Sequence, residues 1–415
     1  MSTELLDATI RLEILVISNE LQNILAVKLK RKKRRYWVRK WIARREVALQ
    51  FIEELAAEDN QTYLNMFRMT QERFQDLLGM VSAKLQKQDT HMRPALSPKL
   101  KLQIVLRYLA TGDSLASLQL LFRVPKCTIC TFLPEVLDII HEALKDFIKM
   151  PNTTEEWCKI EKGFAERWNF SGCVGSLDGK HVVIKKPKHS GSLYYNYKGS
   201  YSIVLMAVVD SEYIFRYIDV GALGRNSDGG IFQNSSLKRA IDEKLLNLPE
   251  NFFFVGDDAF LLKLYLLKPY SRSDSLNIKK LIFNYRLSRA RRIVENAFGI
   301  LANKFQVFAK PITYEPKKAD KIILAAVALH NWLQITSQSH YIPPGSIDID
   351  DIENGRVIPG HWRQDGQGLF SLSRQESNNG QQSAGELRDQ LATYFMGEGA
   401  VPWQMAMIQS TNHPT

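Results

Sequence analysis

Between residues 173 and 257 the sequence carries five strand-like apolar runs: "CVGSL" (173–177), "HVVI" (181–184), "SIVLMAVVD" (202–210), "YIFRYIDV" (213–220) and "NFFFVGD" (251–257). Short apolar runs bounded by turn residues read as buried strands, whereas apolar positions three and four apart read as helix. A helix is expected after Asp228 across "GGIFQNSSLKRAI", and two more over 288–305 and 318–335. The order strand, strand, strand, helix, strand, helices predicts an α/β unit, a mixed sheet flanked by helices. The longest unbroken apolar stretch, "IILAAVAL" at 322–329, falls short of the ~18 residues that cross a bilayer. The expectation is a soluble, intracellular protein with no membrane partner.

At 415 residues the chain is too long for one ordinary domain. Residues 60–150 read as helical. In "SPKLKLQIVLRYLATG", Ser97 is the expected N-cap, Pro98 the first helical residue and Gly112 the stop. A short helix over 114–124 and another from Pro125 follow, with small polar residues opening the second. That grammar fits a helix-turn-helix, with Lys126, Thr128 and Thr131 facing a DNA groove, and fits a plain helical bundle equally well. The net charge is +11, and the segment Lys28–Arg45 holds eleven Lys and Arg with no acid. Such a segment suits nuclear import or phosphate binding. After Pro343 the sequence turns rich in Gly, Ser, Gln, Asn and Asp, which predicts disorder, with one short helix over 386–395. The expected organisation is a basic arm (1–58), a helix-turn-helix-like domain (59–165), the α/β domain (166–336) and an acidic, largely disordered C-terminal tail (337–415). Four cysteines in so long a chain are no disulfide scaffold, and the lone pair Cys127 and Cys130 lacks the second pair a zinc site needs.

Within the α/β region four acids stand out. Asp178 ends an apolar run and precedes Gly179, so a strand, a turn and a second strand are expected there. Asp257 ends another run, Asp228 sits at a loop-to-helix boundary, and Glu295 lies beside the apolar stripe of a helix. Singly, each has an ordinary reading: a turn residue for Asp178, an N-cap for Asp228, an ion pair with Arg291 or Arg292 for Glu295. Together they suit a hard divalent cation, Mg²⁺ or Mn²⁺, which offsets the repulsion of converging carboxylates. Two such ions about 3.5–4 Å apart clamp the attacking and leaving oxygens of a phosphodiester.

The words "GSLDGKHV", "YYNYKGSYSIVLMAVVD", "GRNSDGGIFQNSSL", "VGDDAFLL", "NYRLSRARRIVENAFGILANKF" and "ALHN" run in order from about 173 to 331. In them the chain resembles PIF/Harbinger-type DDE transposases and the host nuclease-like proteins derived from them. The resemblance implies an RNase H-like fold, with one Asp on the first strand, one on the fourth and the Glu on a later helix. By motif it assigns catalysis to Asp178, Asp257 and Glu295, and adds Asp228 as a metal ligand. The basic residues ahead of Glu295, among them Lys279, Lys280, Arg286, Arg289, Arg291 and Arg292, become candidates for DNA contact, as does Lys198. The implied activity is metal-dependent DNA cleavage in the nucleus, with some presence in the cytoplasm allowed. The alternative is a silent, domesticated DNA-binding regulator that keeps the fold. The resemblance also suggests a Myb/SANT-like DNA-binding partner, and a homo-oligomer is compatible with it.

Overall fold

The computed structural model describes residues 10–22, 39–91, 94–271, 276–363, 368–372 and 381–411. The chain divides into two compact units, Met1–Arg45 and Glu46–Thr415. In the first, residues 10–22 are helical and a one-turn helix spans Lys40–Ala43. Residues 28–38, most of the basic segment, lie outside the described residues.

The second unit opens with helices α1 (Glu46–Glu58), α2 (Asn60–Phe67), α3 (Gln71–Leu85), α4 (Pro98–Thr111), α5 (Leu115–Phe122), α6 (Lys126–Leu144) and α7 (Thr154–Trp168). Helix α4 begins and ends as its sequence dictates. The Ser97 hydroxyl accepts from the Leu100 amide at 3.3 Å, Pro98 opens the first turn, and Gly112 closes it with φ +62°.

Next come β1 (Cys173–Val183), β2 (Ser202–Val209), β3 (Phe215–Leu223), α8 (Asp228–Gln233), α9 (Ser236–Asp242), β4 (Phe253–Val255) and β5 (Leu266–Leu267). Two long helices follow, α10 (Ile278–Lys304) and α11 (Pro316–Thr336). The sheet order is β3-β2-β1-β4-β5. Strands β1 to β3 form an antiparallel meander, and β4 and β5 run parallel to β1. Strand β2 is buried throughout and β1 nearly so, because helices cover both faces of the sheet. This is the mixed, helix-flanked sheet that the sequence predicts and the RNase H-like arrangement that the resemblance implies. Helices α6 and α11 pack together, and a single apolar core runs from Ile52 in α1 to Ile408 near the C-terminus.

Two expectations need correction. The stretch around Asp178 is one continuous strand, not a strand, a turn and a strand. It pairs with β2 without a break from Ser176↔Val209 to Val183↔Ser202, and Asp178 lies opposite Ala207. The tail is also ordered over its described residues. It forms a hairpin, β6 (Ile349–Asp351) and β7 (Arg356–Ile358), then strand β8 (Leu369–Ser371) and helices α12 (Gln382–Tyr394) and α13 (Gln404–Thr411). Strand β8 joins the sheet, pairing antiparallel with β1 through Lys180↔Ser371, His181↔Phe370 and Val182↔Leu369.

The tail folds without an apolar periodicity because its anchors are isolated. Phe395 packs on Phe170 and Phe283, and Trp362 lies against Gly299, where a Cβ would come within 2.2 Å of the indole. Asp350 receives Arg289 at 2.6 Å and Arg292 at 2.7 Å. Arg286, Arg289 and Arg292 share one face of α10, three residues apart, and the tail supplies polar partners to all three.

Candidate metal centre

The register of the sheet brings the first two acids together. Strands β1 and β4 run parallel with Ser176 opposite Val255. Two residues further along each chain stand Asp178 and Asp257. Strand β4 ends at Val255, and β8 joins the same edge of β1 only from Lys180 onward. Asp178 therefore sits where β1 has lost one neighbour and not yet gained the next. The third acid, Asp228, comes from the first turn of α8, which packs against β2. Ser227 holds the N-cap position expected of Asp228, so the Asp228 carboxylate is not spent on capping.

Ligand oxygens of Asp178, Asp228 and Asp257 all lie within 4.8 Å of one another, and all three residues are buried. Asp257 Oδ1 accepts from the Ala259 amide at 3.0 Å. Asp228 Oδ1 has no hydrogen-bond partner among the described residues. A buried carboxylate oxygen without a donor is costly, and a bound cation removes that cost. Burial, then Asp178, then Asp257 push the Asp228 carboxyl well above the usual carboxylate range, against the pull of Lys180 and Arg291. Asp257 is raised for the same reasons, burial first and then Asp178. Three converging carboxylate donors, two of them raised by burial and like charge, fit a hard divalent ion.

Gly179 is required by close approach. A Cβ at this position would stand 2.1 Å from Asp228 Oδ1 and 3.1 Å from Leu372. Its glycine makes room for the third carboxylate and does not turn the chain.

Glu295 lies outside the three-carboxylate cluster. Its side chain is 34% exposed and faces Arg363 Nη2 at 3.6 Å and Arg291 Nη2 at 4.0 Å. Arg363 is itself locked by Asp348, with contacts of 2.6–3.1 Å. The ordinary reading of Glu295 as a helix ion pair thus holds for Arg291, while Arg292 turns to Asp350.

Lys180 was not singled out by the sequence. Two residues after Asp178 on a continuous strand, it shares that residue's face. Its Nζ lies 2.9 Å from Asp178 Oδ2 and donates to Ser371 Oγ of the tail at 2.8 Å. Burial pushes its ammonium down, but Asp178 and Glu295 outweigh burial and hold it charged. A cavity of about 420 Å³ opens beside it, walled by Glu295, Phe298, Trp362, Arg363 and Leu369. The signal for Lys180 was present in the period of two. Arg363, Asp348 and Ser371 gave no local signal.

The expected nucleic-acid contacts divide. Lys126 is exposed at the first turn of α6, Thr128 is half-buried beside it, and Thr131 donates back to the Cys127 carbonyl. Lys198 is exposed, with its ammonium over the Tyr197 and Phe370 rings. Arg291 stays beside the cluster. Arg289 and Arg292 do not face solvent: both are buried, and each pairs with one oxygen of the same Asp350 carboxylate.

A family model described as DDE superfamily endonuclease matches residues 177–331. "Putative nuclease HARBI1" of Rattus norvegicus is 24% identical over 262 residues, which cover 61% of this chain and 72% of that protein. The Homo sapiens protein of the same name is 23% identical over the same coverage. "Protein ALP1-like" of Arabidopsis thaliana is 24% identical over 292 residues, 66% of this chain and 70% of that one. No solved structure matches. The strand order, the three converging aspartates and these matches agree: residues 177–331 match the DDE superfamily endonuclease family, and the chain is similar to Harbinger-derived nucleases over a longer stretch.

Proposed function

We propose that this protein is a divalent-metal-dependent endonuclease that hydrolyses DNA phosphodiester bonds in the nucleus. The observation that carries this reading is the convergence of the three buried carboxylates of Asp178, Asp228 and Asp257, with Asp228 Oδ1 lacking a hydrogen-bond partner among the described residues. Asp178, Asp228 and Asp257 would hold Mg²⁺ or Mn²⁺, in one or two ions, with Glu295 at the rim. When bound, the metal supplies Lewis acidity and charge neutralisation at the scissile phosphate. The chain's own residues then position the reactants. Gly179 keeps Asp228 seated, Lys180 orients Asp178, and Arg291 adds a cation toward a bound backbone. The basic segment 28–45 would serve import or phosphate contact, and a Myb/SANT-like protein remains the proposed partner in DNA recognition.

A second reading, a silent DNA-binding regulator, is favoured by one observation: Lys180 already neutralises Asp178, and two arginines hold Glu295. The test incubates the full chain with plasmid DNA and Mg²⁺ or Mn²⁺, beside Asp178→Asn and Asp257→Asn. The nuclease reading expects cleavage by the wild type and a loss of at least about 10²-fold in each variant. Absence of cleavage, or equal cleavage by the variants, overturns it in favour of the regulator.

A further inference from the structure

The loop between β1 and β2 is built as a contact surface. From Gly179 to Val209 the sequence holds five lysines and no acid. Lys185, Lys186, Lys188 and Lys198 are exposed, and so are Tyr195 (47%) and Tyr197 (55%). Exposed rings on a floppy loop would mean little, but this loop is pinned from beneath. Asn196 is buried, and its side-chain oxygen accepts from the Lys198 and Ser200 amides at 3.1 Å each. Its amide nitrogen donates to Ser200 Oγ and Ser202 Oγ at 2.9 Å each. Ser202 Oγ in turn shares a 2.9 Å hydrogen bond with His181 Nδ1 on β1. Tyr197 donates its hydroxyl to the Ser371 carbonyl at 2.9 Å, which fixes its ring while leaving it open to solvent.

The surface adjoins the metal centre. A cavity of about 400 Å³ lies between this loop and residues 224–226, with His181, Tyr195, Tyr197 and Arg225 among its walls. The chain leaves that second loop directly into Asp228. Gly224 is pressed so close that a Cβ would meet the Tyr194 carbonyl at 2.6 Å. His181 lies two residues after Gly179 on β1 and shares its face, the face on which a Cβ at Gly179 would meet Asp228.

We infer that the β1–β2 loop is a stacking platform for unpaired DNA, taking bases on Tyr195 and Tyr197 and the backbone on the surrounding lysines and Arg225. The inference deepens the endonuclease reading and rests on it for the choice of DNA. Exposed aromatic rings on a pinned loop, interleaved with cations, suit an unpaired strand, because every base has a face to stack while a closed duplex hides it. The cleaved DNA is accordingly expected to be open, or readily opened, next to the scissile phosphate.

The test is fluorescence anisotropy of the full chain without divalent ions. The probes are a labelled mixed-sequence strand of about 20 nucleotides, longer than a usual contact, and its duplex. Tyr195→Ala with Tyr197→Ala is expected to weaken single-strand binding about tenfold or more and duplex binding by less than about threefold. Tyr195→Phe with Tyr197→Phe is expected to retain the wild-type preference, since it keeps both rings. Changing Lys185, Lys186 and Lys188 to Gln is expected to lower the salt slope for the single strand by roughly two, which the tyrosine variants leave unchanged. Equal losses on strand and duplex, or no loss, overturn the inference, and tighter binding of the matching RNA overturns the choice of DNA. A wild type that binds the strand through its tyrosines yet cuts nothing sinks the nuclease reading and leaves the platform standing.

Discussion

Gly179 and Asp228 show how little space decides this site. The carboxylate oxygen occupies the volume of a side chain that glycine lacks. Gly179→Ala is therefore expected to displace Asp228 and to abolish Mn²⁺-induced thermal stabilisation, while the fold, read by circular dichroism, persists. Asp228→Asn makes the opposite trade. It removes a buried charge raised by burial and two like neighbours, so without divalent ions it should raise Tm by roughly 2 °C and cancel the response to Mn²⁺. The pH dependence follows with a definite sign. Asp228 holds its proton more tightly folded than unfolded, so its contribution to stability is complete below its ordinary value, near pH 4, and is lost as pH rises through the folded value. A cation favours the ionised form. The Mn²⁺-induced rise in Tm is therefore expected to be small near about pH 5 and larger near about pH 8, and a response that shrinks with pH would contradict the assigned ligands.

At the scale of elements, the tail holds the face of α10 opposite in character to an apolar stripe. Asp350→Ala leaves Arg289 and Arg292 buried without their carboxylate, an expected cost of about 3–5 kcal/mol that denaturant titration would read. A cost under about 1 kcal/mol would mean that the tail docks without these pairs. The sequence made the sheet legible because its strands are long apolar runs such as "SIVLMAVV", and made α4 legible through Ser97, Pro98 and Gly112. It hid the continuity of β1, because Asp178 and Gly179 form a common turn pair while their pairing with β2 is non-local. It hid the tail for a similar reason. Trp362, Phe395 and Asp350 are single anchors, and their partners lie on elements far earlier in the chain. Of the site, Asp178, Asp228, Asp257 and Glu295 were readable as a set, whereas the contact of Glu295 with Arg363 brings in a residue that no local pattern marks.

For the molecule as a whole, a net charge of +11 makes polyanion binding salt-dependent. Deleting residues 28–38, which hold seven Lys and Arg, is expected to lower the slope of log affinity for duplex DNA against log salt if the segment contacts phosphate, and to leave it unchanged if the segment serves import alone. The remaining feature of scale is the distance along the chain between parts of one site. Lys180 and Ser371 meet across 191 residues, so a chain emerging from the ribosome carries all three aspartates long before it carries the strand that seats their lysine. The order of synthesis thus separates making the acids from finishing the site, and a message cut short before residue 371 yields the aspartates without their last neighbour.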